Sequence, residues 1–198
     1  MTINLQKGGR INLSKGNPSL KKVRIGLGWN SNAFDGSSFD ADVSAFVCKQ
    51  DSQGNPSLIN EQFMVFYGNL RSPDDAVVHS GDNQTGAGDG DDETIRVDLS
   101  KIHTDAVEVS FIVTIHEATK RKQNFGQLTK SYIKLYNDET GAVITTYELE
   151  DDFSLETAVQ FGSLYRKEGQ WFFKAVGQGY QRGLGDFVRV YGAEPTNE

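Results

Sequence analysis

Val107, Val109, Phe111, Val113 and Ile115 repeat at every second position, and a period of two belongs to a β-strand with one apolar face. Glu108, Ser110, Thr114 and His116 fall on its other face. Further strands are predicted at Val23–Leu27 closed by Trp29 and Val43–Val47, which also alternate, and at Phe63–Tyr67, Val77–His79, Glu93–Val97, Tyr132–Tyr136, Ala142–Leu149, Thr157–Tyr165 and Trp171–Val176. Gly-rich or polar turns separate them, among them Asn137–Gly141 and Glu168-Gly169. Ile3–Leu5 and Arg10–Leu13 flank Lys7-Gly8-Gly9, which predicts an N-terminal hairpin. Lys120–Gln123 predicts a turn. Leu184, Phe187, Val188 and Tyr191 stand at i, i+3, i+4 and i+7, which predicts a short C-terminal helix. Nine or ten short strands at regular spacing predict an all-β chain, a β-sandwich of two antiparallel sheets. At 198 residues the chain is expected to form one domain, 1–198, with a substantial core.

Between two of these strands lies an unusual loop. Gly81-Asp82-Asn83-Gln84-Thr85-Gly86-Ala87-Gly88-Asp89-Gly90-Asp91-Asp92-Glu93 carries five carboxylates and four glycines. No Lys or Arg occurs between Arg71 and Arg96. Like charges repel, so such a run is either a solvated acidic loop or the shell of a cation. The glycines permit reversals that aim several oxygens at one point, and Ca²⁺ takes about six to eight oxygen ligands. The spacing does not fit an EF-hand, since Gln84 and Gly86 occupy ligand positions counted from Asp82 and no glycine stands sixth from Asp89. A phosphate-binding loop is equally poor, because the carboxylates would repel the phosphate. The loop reads as a calcium site. Asp40 and Asp42, two apart at the mouth of the Val43–Val47 strand, are either further ligands or solvated edge acids. Arg71–Asp75 is a second acidic turn.

Charge and composition exclude several functions. The net charge of −7 argues against unassisted binding to nucleic acid or anionic lipid; two divalent cations, adding +4, would bring it to −3. Cys48 is the single cysteine, so an intrachain disulfide and a cysteine zinc site are both excluded. The first sixteen residues lack an apolar signal region and no run approaches 18 apolar residues. A cytoplasmic location is expected. His79, His103 and His116 form no His-Glu-x-x-His motif, and no Gly-x-Ser-x-Gly elbow is present. The chain is expected not to be an enzyme. A carboxylate cluster holding Mg²⁺ or Mn²⁺ could hydrolyse phosphoesters, with His79 as base, and that is the catalytic alternative.

Taken together, Leu13-Ser14-Lys15-Gly16, Gly26-Leu27-Gly28-Trp29, Phe39-Asp40-Ala41-Asp42-Val43-Ser44-Ala45-Phe46, Gly81 to Glu93, Gln123 to Gln127, Glu156-Thr157-Ala158 and Phe172 to Tyr180 resemble the TerD family of bacterial tellurium-resistance and stress proteins. The resemblance runs nearly end to end. It implies a β-sandwich binding two Ca²⁺ ions through Asp-rich loops, with a role in resistance to tellurite, phage or chemical stress. It implies action as a docking or scaffold component, beside other Ter-type proteins at the inner face of the membrane. By position it implies Asp40, Asp42, Asp82, Asn83, Thr85, Asp89, Asp91, Asp92 and Glu93 as metal ligands. Asn30 departs from the pattern, where many relatives carry Asp after the tryptophan. A Ca²⁺-dependent membrane-surface binder is the alternative within the same family frame.

Overall fold

The computed structural model describes residues 2–31, 39–81, 90–149 and 153–192. In chain order these hold β1 (Ile3–Leu5), β2 (Arg10–Asn12), α1 (Leu13–Gly16), β3 (Lys22–Ser31), β4 (Ala41–Gln50), β5 (Pro56–Leu58), β6 (Met64–Val65), β7 (Val77–His79) and β8 (Glu93–Asp98). They continue with β9 (Glu108–Ile115), α2 (Ala118–Arg121), β10 (Leu128–Asn137), β11 (Val143–Glu148), β12 (Ala158–Lys167), β13 (Gln170–Tyr180) and α3 (Gly183–Val190). One sheet runs β1-β11-β10-β3-β8-β7, the other β2-β13-β12-β9-β4-β5, with β6 on β4. Every pairing is antiparallel except β1 with β11. Ile25, Leu27, Ile95, Val97, Ile133 and Leu135 of the first sheet and Val43, Ala45, Val109, Phe111, Val113 and Phe173 of the second are fully or nearly fully buried. This is the two-sheet sandwich that the strand periodicity predicts.

Four details differ from the sequence reading. Ile3–Leu5 and Arg10–Asn12 do not pair with each other: β1 joins β11 in one sheet and β2 joins β13 in the other. Gly8 and Gly9 carry the chain across, with Gly8 N–H on Ala175 O and Ala175 N–H on Gly9 O, both at 2.9 Å. An isolated hairpin is marginal in water, whereas two strands docked on existing edges gain full ladders. The predicted strand at 63–67 shrinks to β6, because Glu61–Phe63 forms a 3₁₀ turn capped by the Asn60 side chain. Residues 118–121 form the short helix α2 rather than the start of a turn, closed by left-handed Lys122 (φ 54°).

A fourth difference concerns β9. Its second face is not open to water: Ser110 and Ile112 are fully buried and Thr114 nearly so. The amphipathic helix α3 covers this face. Phe187 packs on Phe46 and Tyr180 with ring centroids 6.1 and 4.2 Å away. The Tyr191 hydroxyl lies 2.8 Å from Ser110 Oγ, and Gln160 Nε2 donates to both oxygens. Ser110 in turn donates to Glu108 Oε1 at 2.5 Å. Ser110 Oγ, the Tyr191 hydroxyl and Gln160 Nε2 thus each have a partner, which is the condition for placing them under a helix.

Candidate metal centre

The acidic run leaves residue 90 and enters β8, and the chain immediately fixes three carboxylates in three different environments. Asp91 stands against β3 and β10, where Tyr132 and Tyr136 hydroxyls both donate to its Oδ1 at 3.1 Å. Arg24 Nη1 is 3.8 Å from Oδ2. The carboxylate occupies the space over Gly26, where a Cβ would overlap it, and the Tyr132 ring fills the same space over Gly28. Strand alternation puts Gly26 and Gly28 on one face of β3, so Gly26-Leu27-Gly28 is a trough made by two missing side chains. Burial, then the nearby Asp91, push the Tyr136 hydroxyl up to about 12; Tyr132 is raised further by the same causes. Both phenols therefore stay neutral donors.

Asp92 is knitted to the next stretch of β3. Its N–H donates to Leu27 O at 2.7 Å, and its Oδ2 accepts from Trp29 N–H at 2.8 Å. Burial raises the carboxyl above its ordinary value; the Trp29 hydrogen bond opposes this, while the Asp91 and Glu93 charges add to it. The dominant cause is desolvation of the charged form.

Glu93 turns into the space between the sheets. Its side chain is fully buried, and its Oε2 accepts the Val43 N–H at 2.6 Å. His79, also fully buried in its side chain, places Nε2 3.2 Å from Val43 O and 3.7 Å from Glu93 Oε2. Gly81 N–H donates to the other ring nitrogen, Nδ1, at 3.0 Å. That bond fixes the tautomer: Nδ1 accepts, so Nε2 carries the hydrogen.

Val43 follows Asp42, and Glu93 follows Asp92, so this contact brings the two acidic segments together from opposite sheets. Asp42 lies in β4 opposite Thr114 and is buried at 7% exposure, so it is no solvated edge acid. Asp40 sits just before β4; its C=O accepts His116 N–H at 2.7 Å and its Oδ2 is 3.9 Å from Arg121 Nη2. Asp82, Asn83, Thr85 and Asp89 lie outside the described residues. Among the described residues no three His, Cys, Asp or Glu side chains stand close enough to hold a metal by themselves. Sequence reasoning did not single out Tyr132, Tyr136 or Arg24, and it considered His79 only as the base of the catalytic alternative. The Gly26-x-Gly28 spacing was the available signal for the tyrosines, since two glycines on one strand face leave room for side chains from elsewhere.

A two-sheet sandwich in which the strands carrying Asp42 and Glu93 meet through Val43 defines an all-β class of protein. Comparison with known sequences narrows it. The TerD domain matches residues 1–191. The chain is 44% identical over 192 residues to tellurium resistance protein TerD of Serratia marcescens, covering 97% of this chain and 98% of that one. It is 45% identical over 195 residues to general stress protein 16U of Bacillus subtilis (strain 168), covering 98% and 99%. The crystal structure of a homologue of the telluride resistance protein TerD from Streptomyces coelicolor A3(2) superposes with a TM-score of 0.68 at 22% identity, covering 89% of this chain and all of that one. The chain belongs to the TerD family, a family of tellurium-resistance and general stress-response proteins.

Proposed function

We propose that this protein is a calcium-binding module of a bacterial stress-response system, without catalytic activity, that acts in the cytoplasm as a docking component for other Ter-type proteins. The observation that carries the reading is the Glu93–Val43 contact, which joins Asp40-Ala41-Asp42 to Asp91-Asp92 across the sandwich. The donor set fits a hard cation: Asp40, Asp42 and Asp92 offer carboxylate oxygens, and Asp82, Asn83, Thr85 and Asp89 would supply the rest of a shell of about six to eight oxygens. The Asp92 carboxyl, raised by burial with two acidic neighbours adding to the rise, is an environment that a bound cation would relieve. Two Ca²⁺ ions suit the number of carboxylates. A bound ion would order the loop and complete a surface for a partner.

Calorimetric titration of chelator-treated protein with Ca²⁺, repeated with Mg²⁺ and with Asp92→Asn, tests this. Ca²⁺ should bind, Mg²⁺ should compete poorly because it demands a tighter octahedral shell, and the substitution should weaken binding by about tenfold or more. Absence of heat in the wild type would remove the calcium reading, and equal affinity in the variant would remove Asp92 from the site.

A further inference from the structure

We infer that His79 and Glu93 form a brace that positions the two acidic segments for metal, so that His79 governs Ca²⁺ affinity without being a ligand. This rests on the calcium reading above. β4 pairs with β9 along Ala41–Cys48, and its other edge is met by β6 at Ala45 and Phe46 and by β5 at Cys48–Gln50, neither of which reaches Val43. Val43 therefore presents both backbone groups away from β9. Glu93 Oε2 takes the N–H at 2.6 Å and His79 Nε2–H faces the C=O at 3.2 Å. Two side chains stand in for a neighbouring strand.

The residues that do this sit at the ends of the acidic loop. His79 closes β7, and its Nδ1 holds the N–H of Gly81, the last described residue before the loop. Glu93 opens β8, directly after Asp92. One imidazole thus contacts the loop entry, the loop exit and the strand that carries Asp42. Both side chains are fully buried, so these bonds are shielded from competing water and hold their geometry. Groups that orient metal ligands in this way typically change affinity by about 10–100-fold when removed.

His79→Phe keeps a ring of similar size and removes both hydrogen bonds. In calorimetric titration it should bind Ca²⁺ at least about tenfold more weakly than the wild type. Phe187→Ala, a destabilising change under α3 that removes none of the brace's hydrogen bonds, should leave Ca²⁺ affinity within about twofold. Amide exchange in chelator supplies a second readout: Gly81 loses its acceptor directly, and Val43, whose N–H is bonded to Glu93, should also exchange faster if the brace is one unit. If His79→Phe does not fold, His79→Leu, which also removes both hydrogen bonds, takes its place with the same expectation of weakened binding. A His79 variant that binds Ca²⁺ within about twofold of wild type would overturn the inference, as would an unchanged Val43 amide. A wild type that takes no Ca²⁺ overturns the calcium reading instead, and the exchange comparison then still decides whether the brace couples the two segments.

Discussion

Gly26 shows how one residue type is forced by its surroundings. Its φ is not in the left-handed region, so conformational freedom is not the reason; the absent Cβ is. The Asp91 carboxylate fills the position a Cβ would take, and that carboxylate is itself held by Tyr132 and Tyr136. Gly26→Ala should displace Asp91 and lose roughly 1–3 kcal/mol, the usual range for overpacking a close contact. Urea denaturation in chelator measures this. Gly16→Ala is the control, since a Cβ there meets nothing within 4 Å and surface changes of that kind stay within about 0.5 kcal/mol. Cys48 is the opposite case at this scale. Its side chain is fully buried, and burial, followed by the Glu108 charge, pushes the thiol well above its ordinary value. It is a small core residue, not a nucleophile.

At the scale of the element, α3 decides the environment of β9. Burying the apolar side chain of Phe187 contributes about 1.5–3 kcal/mol, and the Tyr191–Ser110–Gln160 hydrogen bonds fix where the helix ends. Glu108 lies at the edge of this network, and burial raises its carboxyl above the ordinary 4.5, with the Ser110 hydrogen bond and Lys174 opposing. A folded value above the unfolded one means that the folded state binds the proton more tightly. Stability from this group is then complete below about pH 4.5 and is lost as pH rises through the raised value. Glu108→Gln retains an acceptor for Ser110 and carries no charge to desolvate. It should match or exceed the wild type in stability at neutral pH, and a plot of stability against pH should show the advantage shrinking as the pH falls toward 4. An advantage that grows on acidification would refute the assignment.

For the whole molecule, the sandwich holds its acidic segments at strand ends in both sheets, so on the proposed calcium reading ion binding and folding would be linked. Ca²⁺ at about one hundred times its dissociation constant should add roughly 2.7 kcal/mol. For a chain of this size that corresponds to a rise of about 5–11 °C in melting temperature. Differential scanning calorimetry with and without chelator reads it; coincident transitions would mean that the folded state has no preference for the ion. The N-terminal segment also acts at this scale, since β1 and β2 add one strand to each sheet and tie the two together through Gly8 and Gly9.

Much of this architecture follows from local order in the chain. Alternating apolar residues set β3, β4, β8, β9 and β13, and a two-residue reversal at Glu168-Gly169, both at positive φ, joins β12 to β13 as the turn chemistry requires. The two strands flanking the acidic Gly-rich run were equally legible. Which face of a strand would be covered was not. Period two gives the same alternation whether α3 lies on Ser110 or water does, and Lys7-Gly8-Gly9 reverses direction without specifying a partner. The environments of His79 and Glu93 were hidden for the same reason. Sequence spacing records what a residue's neighbours are along the chain, while hydrogen bonds to Val43, thirty-six and fifty positions away, exist only once two sheets have packed and left one strand edge to be filled.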